Sequence, residues 1–279
     1  MVTIKGRTIP FYKMHGGGND FILIDHRHRI IPEPEQPRFA RMVCARKVGV
    51  GADGLILLER SENAHFRWRF YNADGSEAEM CGNGGRCAAR FAVLLGLAPE
   101  KLTFETLAGI IHAEVQDRQV RLLMTGVGEV RLNLQIPLSN AALLGHFMKV
   151  GVPHAVVPVN DLENVPVISW GREVRFHPMF QPAGTNVNFI HFKGQHSLEV
   201  RTYERGVEDE TLACGTGAVA AALIAARLGL AASPVAVGTR GGETLTIYFR
   251  SHGQDFTDVY LEGPALVVYQ GELWVDELM

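Results

Sequence analysis

Long hydrophobic runs are scarce in this 279-residue sequence, and so is net charge. Residues 1–20 contain no apolar segment of signal-peptide length, and the apolar stretches elsewhere are Ala-rich and too short or too interrupted to span a bilayer. A net charge of -3 provides no electrostatic attraction for nucleic acid or for an anionic membrane. We therefore expect a cytoplasmic protein that acts on a small molecule and binds neither nucleic acid nor a membrane.

Sequence motifs of a pyridoxal phosphate site, a phosphate-binding P-loop and a zinc site are missing as well. None of the six lysines lies in a Gly-rich or Ser-rich context typical of a pyridoxal phosphate site, and no Gly-x-x-x-x-Gly-Lys-Ser/Thr loop is present. The sequence contains no Cys-x-x-Cys pair, and none of its 11 histidines forms a His-x-x-x-His pair. We predict that the protein works with no cofactor and no metal.

Cysteine is rare, with four residues in the whole chain. In a sequence without a leader segment, we expect these thiols to be reduced. Cys44 lies on the apolar face of a predicted helix and Cys87 lies six residues into another, so packing explains both. The remaining two, Cys81 and Cys214, each come directly before a glycine-rich helix start and are the candidates for chemistry.

Short β-rich runs dominate the rest of the sequence, and helical patterns are few. Helices are predicted over 35–47, after Cys81, near 161–172 and after Cys214. The predicted strands cover 21–25, 54–59, 65–72, 101–106, 112–116, 119–124, 154–159, 187–192, 197–204, 244–249, 258–263 and 272–275.

The two cysteines occupy matching places in an internal repeat. Residues 81–98 aligned without gaps on residues 214–231 are identical at ten of eighteen positions, including the initial Cys-Gly-x-Gly and the final Leu-Gly-Leu-Ala. The alternative is that two Gly/Ala-rich helices look alike by composition alone. The repeat predicts an α+β fold of two pseudo-symmetric domains, each a mixed or antiparallel sheet wrapped around a central apolar helix. We place the domains at 1–134 and 135–279, with a connection near 130–140 and the last strands returning to the first domain.

A cysteine at a helix start lies beside unpaired backbone N–H groups and the positive end of the helix dipole, which favour its thiolate form. The glycines of each Cys-Gly-x-Gly let a ligand approach those N–H groups, so the same element can hold a carboxylate. Two such elements, one from each domain, suit a two-base epimerisation. One thiolate would remove an α-proton, and the opposite thiol would return a proton to the other face.

At these residues the sequence resembles the diaminopimelate epimerase family. The matching segments cover nearly the whole chain in family order: MHGGGNDF (14–21), GVGADGLI (49–56), YNADGSEAEMCGNGGRC (71–87), GVPHAVV (151–157), GTNVNF (184–189) and YERGVEDETLACGTGA (203–218). The resemblance implies interconversion of LL- and meso-2,6-diaminopimelate for lysine and peptidoglycan precursor synthesis, by a cofactor-independent homodimer with Cys81 and Cys214 as catalytic residues.

The resemblance also implies the remaining site residues. His154 and Glu204 fall at positions that tune the thiols. Substrate-binding positions are matched by Asn19, Asn72, Gly82, Asn83, Asn186, Glu204, Arg205, Gly215 and Thr216. Without the resemblance, the three asparagines outside the helix starts read as turn or cap residues, Glu204–Arg205 as a solvated ion pair and His154 as a satisfied core histidine.

Two positions depart from the family pattern. Many members have asparagine where this chain has Val152 and glutamine where it has Gly54, so neither position offers an amide side chain to the distal end of the substrate. Three alternatives fit the sequence less well. A proline or hydroxyproline racemase typically has a histidine after the first Cys-Gly, which this chain lacks, and a PhzF-like isomerase or a non-catalytic amino-acid-binding module would be expected to lack at least one of the two thiols.

Overall fold

The structure is a computed structural model and describes residues 8–274. It contains seventeen strands and four α-helices within that range, numbered here in chain order. The helices are α1 (Gln36–Cys44), α2 (Gly82–Leu94), α3 (Val167–Phe176) and α4 (Gly215–Arg227). The strands are β1 (Thr8–Gly16), β2 (Asn19–Asp25), β3 (Gly54–Glu59), β4 (Phe66–Asn72), β5 (Lys101–Thr106), β6 (Gly109–Gln116), β7 (Gln119–Leu123), β8 (Val127–Pro137), β9 (Ala142–Val150), β10 (Val152–Pro158), β11 (Asn186–Gly194), β12 (Ser197–Glu204), β13 (Asp209–Thr211), β14 (Val235–Thr239), β15 (Thr244–His252), β16 (Asp255–Pro264) and β17 (Leu266–Trp274).

The described chain forms two compact units. The first comprises residues 8–122 and 264–274, and the second comprises Leu123–Gly263. The first unit is built from two separate stretches of chain, which are joined where β17 pairs antiparallel with β1. No helix of the described residues is long and apolar enough to cross a membrane.

Helix α2 is the centre of the first unit. Strands β17, β1, β2, β3, β4, β5, β6 and β7 pair in that order. The helix can lie close to these strands because it carries small residues: a methyl group added at Gly84 would meet Ile56 at 3.2 Å, and one added at Gly85 would meet Leu122 at 3.2 Å. Cys87 is fully buried in this core, as the sequence predicts.

Helix α4 plays the same part in the second unit. Every residue from Gly217 to Ala225 is buried, so the helix that the sequence predicts to be apolar all round does lie inside. Its neighbours are aliphatic side chains of the surrounding strands, among them Val156, Ile190 and Leu245. Strands β8, β9, β10, β11, β12, β14, β15 and β16 pair in that order, and β13 pairs with β12.

The two units share one topology. Each eight-strand order contains seven neighbouring pairs. In both units the third and fifth pairs are parallel and the other five are antiparallel. In each unit the cysteine-initiated helix lies in the connection from the fifth strand of this order to the sixth, and a second helix connects the third to the fourth. The repeat of 81–98 in 214–231 is thus a repeat of whole folding units, and the predicted α+β fold is confirmed.

Residues 130–140, where we predicted a connection, are largely strand. Strand β8 covers Val127–Pro137, but its pairing with β9 is interrupted twice by register shifts. At the second shift Asn133 has a φ of 56°, and its backbone N–H donates to His146 Nδ1 at 3.2 Å. Most β8 side chains are partly or fully exposed. A strand that is mostly exposed and twice interrupted shows little alternation of apolar and polar residues, so its sequence resembles that of a connecting segment.

Candidate active site

Cys81 lies at the junction where extended chain turns into α2. Its backbone is extended, with φ -143° and ψ 120°, and its half-exposed sulfur accepts a hydrogen bond from Gly84 N at 3.5 Å. The thiol therefore takes the place that a serine or aspartate normally takes at a helix N-cap. Because the first N–H groups of a helix have no partner within it and the dipole is positive at this end, a thiolate here is stabilised by its own helix.

Cys214 holds the equivalent place before α4. Its backbone is again extended, with φ -121° and ψ 111°, and its sulfur lies 3.6 Å from the hydroxyl of Thr216. The residue is more deeply buried than Cys81. The structure thus puts both candidate thiols at N-caps, each followed by the glycines that open the helix start.

The buried cysteine of α1 provides a contrast. Cys44 ends that helix, away from its positive pole, and burial raises the pKa of its thiol to about 12. A thiol with this pKa is protonated at neutral pH and is a poor nucleophile or base.

Two predicted site residues of the first unit contact each other beside Cys81. Asn83, the second residue of α2, donates from Nδ2 to Asn19 Oδ1 at 2.7 Å. Asn83 Oδ1 accepts in turn from Arg86, which is buried in the same helix. Asn19 is therefore tied to the helix that begins after the thiol.

The other side of Asn19 meets a charged cluster that sequence reasoning missed. Asn19 Nδ2 donates to Asp53 at 3.0 Å, and Arg46 bridges Asp53 and Asp20 with contacts of 2.9 Å to each. Asp20 also forms an ion pair of 2.7 Å with Lys13, which is buried. Hydrogen bonds from Arg46 and Lys13 keep the pKa of Asp20 below its usual value, even though burial alone would raise it. Asp53 belongs to the GADG segment, but nothing in the sequence pairs it with Asn19.

Asn72 lies apart from these contacts. It ends β4, is exposed, and donates from Nδ2 to Ser76 Oγ at 3.0 Å. In the β3–β4 register it faces Gly54, one of the two positions that depart from the family pattern. A methyl group added at Gly54 would lie 2.5 Å from the ring of Phe70, so a longer side chain there requires the ring to move.

In the second unit, Asn186 and Arg205 are joined. Asn186 is buried, accepts from the Arg205 backbone N–H at 2.8 Å and donates to Pro153 O at 3.1 Å. The Arg205 guanidinium contacts Ala183 O at 3.0 Å. Much of the hydrogen-bonding capacity of Asn186 is thus used to hold the chain around Arg205, and one amide hydrogen remains available to another acceptor. Val152 is the first residue of β10 and is half-buried.

Glu204 lies one residue before Arg205 at the end of β12. Burial raises the pKa of its carboxyl, and the hydroxyl of Thr211, which donates to Glu204 Oε2 at 2.9 Å, offsets this in part. A carboxylate in this position would gain from the approach of a cationic group such as an ammonium.

His154 is fully buried on β10, directly across the parallel ladder from Asn186. Burial, with a contribution from the nearby charge of Arg205, lowers its pKa to about 3, so the imidazole is neutral at physiological pH. Its Nδ1 lies 3.3 Å from the side-chain nitrogen of Asn188, another buried polar residue that sequence reasoning missed. Asn188 is two residues after Asn186 and therefore on the same face of β11, which is the signal that could have revealed it.

One glycine of the second helix start is required by its surroundings. A methyl group added at Gly217 would overlap Asn188 Oδ1 and would lie 3.2 Å from Cys214 Sγ. The absence of a side chain here lets Asn188 pack directly against the first turn of α4. Within residues 8–274, no three His, Cys, Asp or Glu side chains are grouped as a metal ion would require.

Sequence comparison gives consistent results over nearly the whole chain. The family model described as diaminopimelate epimerase matches residues 11–131 and 146–268. A diaminopimelate epimerase of Aquifex aeolicus is 47% identical over 276 residues, covering 95% of this chain and 98% of the relative. Those of Chlorobaculum tepidum and Archaeoglobus fulgidus are 46% and 43% identical, covering 93% and 97% of this chain and 99% and 98% of the relatives.

Solved structures share the fold at much lower identity. A phenazine biosynthesis protein of the PhzF family from Bacillus anthracis superposes with a TM-score of 0.70 at 16% identity, covering 96% of this chain and 99% of the other. A hydroxyproline epimerase from Agrobacterium vitis superposes with a TM-score of 0.67 at 17% identity, covering 97% and 93%. The family model and the close relatives establish that this chain is an isomerase belonging to the diaminopimelate epimerase family.

Proposed function

We propose that this protein interconverts LL- and meso-2,6-diaminopimelate without a cofactor, using Cys81 and Cys214 as the two acid/base groups. The observation that carries the proposal is that both thiols are N-caps of corresponding helices in two units of identical topology. The names of the close relatives support the substrate, because the diaminopimelate epimerase of Aquifex aeolicus matches this chain at 47% identity.

The reaction is a proton exchange at one α-carbon. One cysteine thiolate removes the α-proton, so that the C–H bond breaks, an S–H bond forms and the electron pair delocalises into the adjacent carboxylate. The second cysteine, as a thiol, then gives its proton to the opposite face, which forms a new C–H bond and leaves a thiolate. No electrons leave or enter, and the two sulfurs have exchanged roles.

The helix starts supply the stabilisation that this step needs. We propose that the N–H groups at Gly82–Asn83 and Gly215–Thr216 hold the reacting carboxylate, whose negative charge grows as the proton leaves. Aligned donors of this kind stabilise the carbanion more than the ground state, which is what accelerates the reaction.

The remaining predicted residues would bind the distal end of the substrate. In our proposal Asn19, Asn72 and Asn186 offer amide hydrogen bonds, the Arg205 guanidinium pairs with the distal carboxylate, and Glu204 accepts from the distal ammonium. The raised pKa of Glu204 supports its part, since an approaching cation restores the charged form that burial disfavours. Val152 offers no amide, so any contact there would come from the backbone.

We also propose that the reaction serves lysine and peptidoglycan precursor synthesis in the cytoplasm, and that the protein acts as a homodimer. These statements follow the family resemblance. Sedimentation equilibrium tests the last of them, because a mass equal to one 30.7-kDa chain would contradict a dimer.

Incubation with LL-diaminopimelate in D2O under reducing conditions tests the reaction. We expect meso product with one deuterium at the inverted α-carbon and none at the other, as chiral chromatography and mass spectrometry would show. Failure to incorporate deuterium with any stereoisomer would overturn the proposal. Incorporation with trans-4-hydroxyproline instead would assign the chain to another substrate on the same fold.

Single replacements of each thiol test the two-base scheme. Cys81→Ala and Cys214→Ala are each expected to abolish inversion, with Cys44→Ala as the matched control that retains it. Near-normal turnover in either of the first two variants would contradict the scheme.

A further inference from the structure

Asn188 is saturated with hydrogen bonds in the core of the second unit. Its Nδ2 lies 3.0 Å from Ala155 O and 3.3 Å from His154 Nδ1, and its Oδ1 accepts from the Thr202 hydroxyl at 3.0 Å. The side chains of Asn188, His154 and Thr202 are all buried, and those of Asn188 and His154 are fully buried. The amide of Asn188 therefore has no spare donor and no freedom to turn.

The orientation of this amide is fixed by chemistry. A backbone carbonyl can only accept, so the group of Asn188 that faces Ala155 O is its NH2 and not its oxygen. The second hydrogen of the same NH2 then points at His154 Nδ1, which must be the acceptor. An imidazole that accepts at Nδ1 and is neutral carries its proton on Nε2.

The opposite nitrogen of His154 differs from Nδ1 in having no partner within the described part of the chain. His154 Nε2 is buried and has no hydrogen-bond partner among residues 8–274. Buried polar groups are nearly always paired, so an N–H at this position calls for an acceptor that the atoms of these residues do not supply. The backbone N–H of Arg205 donates to Asn186, which lies directly across the ladder from His154, and the charge of Arg205 contributes to the low pKa of the imidazole. A cationic residue at this place favours an anion.

We propose that Asn188 is a positioning residue that holds His154 as a fixed Nε2–H donor for a carboxylate of the substrate. The part of this inference that concerns the substrate rests on the proposed function, whereas the part that concerns the tautomer does not. In this arrangement His154 is not a general base in the resting enzyme, because the nitrogen that could accept a proton is already occupied by Asn188. The imidazole acts by donating.

Long-range 1H–15N correlation spectra of the full-length protein labelled with 15N-histidine test the tautomer directly. The His154 resonances are assigned as those missing from His154→Gln. We expect Nδ1 to give a pyridine-type shift and Nε2 a pyrrole-type shift at pH 7 to 8. A proton on Nδ1, in either the neutral or the charged ring, would overturn the proposal whether or not the chain is an epimerase.

Two variants test whether Asn188 is the cause. The carboxylate introduced by Asn188→Asp can only accept, so at pH 8 we expect a proton on His154 Nδ1. Thr202→Val is the matched control, since it removes the hydrogen bond that Asn188 Oδ1 accepts and is expected to leave the tautomer unchanged. A pyridine-type Nδ1 in Asn188→Asp, or a shifted proton in Thr202→Val, would contradict the role of Asn188.

A kinetic comparison tests the donor and remains available if Asn188→Asp does not fold. Glutamine can place an N–H close to the position of Nε2, whereas leucine cannot. We expect kcat/KM for diaminopimelate to be at least about tenfold higher in His154→Gln than in His154→Leu, each checked for native circular dichroism.

In the wild type, addition of diaminopimelate is expected to move the Nε2–H resonance of His154, and this shift should persist in Cys214→Ala. Equal kinetics in the two variants, no shift on titration, or a shift lost with the thiol would each refute a carboxylate as the acceptor.

Discussion

Asn19 and Asn83, 64 residues apart in sequence, are joined by a 2.7 Å hydrogen bond at the start of the helix that follows Cys81. Asn83 uses its amide nitrogen and Asn19 its oxygen, so the Asn19 nitrogen turns toward Asp53. The orientation of one predicted substrate-binding side chain is thus set from both sides by residues that are not expected to touch the substrate's reacting carbon.

Asp53→Ala is expected to impair the enzyme through Asn19. The replacement removes the acceptor that orients the Asn19 amide and leaves Arg46 with one carboxylate in place of two. We expect kcat/KM to fall by about 10- to 100-fold, largely through KM, as is typical when a binding contact is misplaced. Steady-state kinetics measure this, with Asp161→Ala as the control at an exposed carboxylate. Unchanged KM in Asp53→Ala would show that Asn19 does not depend on it.

Gly217→Ala is expected to destabilise the second unit. The added methyl group overlaps Asn188 Oδ1, so either the first turn of α4 or the buried amide must move. Overpacking of this kind costs about 1–3 kcal/mol in the free energy of unfolding. Chemical denaturation measures the change, and Gly128→Ala, where an added methyl group meets nothing within 4 Å, is the control. Equal stability of the two variants would contradict the close packing of Gly217 against Asn188.

Alkylation should distinguish the cysteines. Because the pKa of Cys44 is raised to about 12 by burial, its thiol is protonated at pH 8 and is expected to react with iodoacetamide at least about 100-fold more slowly than the half-exposed Cys81. Peptide mapping by mass spectrometry over time measures both rates, and the denatured chain serves as the control in which the rates converge. Comparable rates in the native protein would contradict the environment of Cys44.

His154 should make the protein sensitive to acid. Its pKa is lowered from 6.5 to about 3 in the folded state, so the stability linked to its neutral form is present above pH 6.5 and is lost as the pH falls toward 3. The variant His154→Gln loses the hydrogen bond with Asn188, so its Tm is expected to be below that of the wild type at pH 7. Because the variant lacks the titrating imidazole, the difference in Tm should become smaller when the pH is lowered from 7 to 5. Differential scanning calorimetry at the two pH values measures it. A constant deficit would show that His154 does not titrate on unfolding.

Residues that are close in sequence were the easiest to predict. The Cys-Gly-x-Gly starts, the buried α4 and the duplicated fold follow from local composition and from one aligned repeat. In contrast, the contacts of Asp53 with Asn19 and of Asn188 with His154 join residues 34 apart, and depend on strand register that no single segment records. Strand β8 was missed because its bulges and exposure erase the alternation on which strand prediction relies.

Helix α1 shows a smaller difference of the same kind. The helical pattern predicts 35–47, but the helix ends at Cys44 because Ala45 adopts an extended conformation with ψ 119°. The turn that follows places Gly49 where a side chain would overlap Met42 O. The amphipathic spacing of the sequence continues beyond Cys44, where packing against the rest of the unit turns the chain. The predicted C-terminal end of this helix is therefore three residues too late.

The pairing of β17 with β1 affects how the chain is synthesised. Residues 8–122 leave the ribosome first, yet the strand that completes their sheet, Leu266–Trp274, follows the whole of the second unit. The second unit, a single continuous stretch, can form all its strand pairs before that final strand emerges. The usual order, in which the N-terminal domain matures first during translation, is therefore reversed for the last step of this protein's assembly.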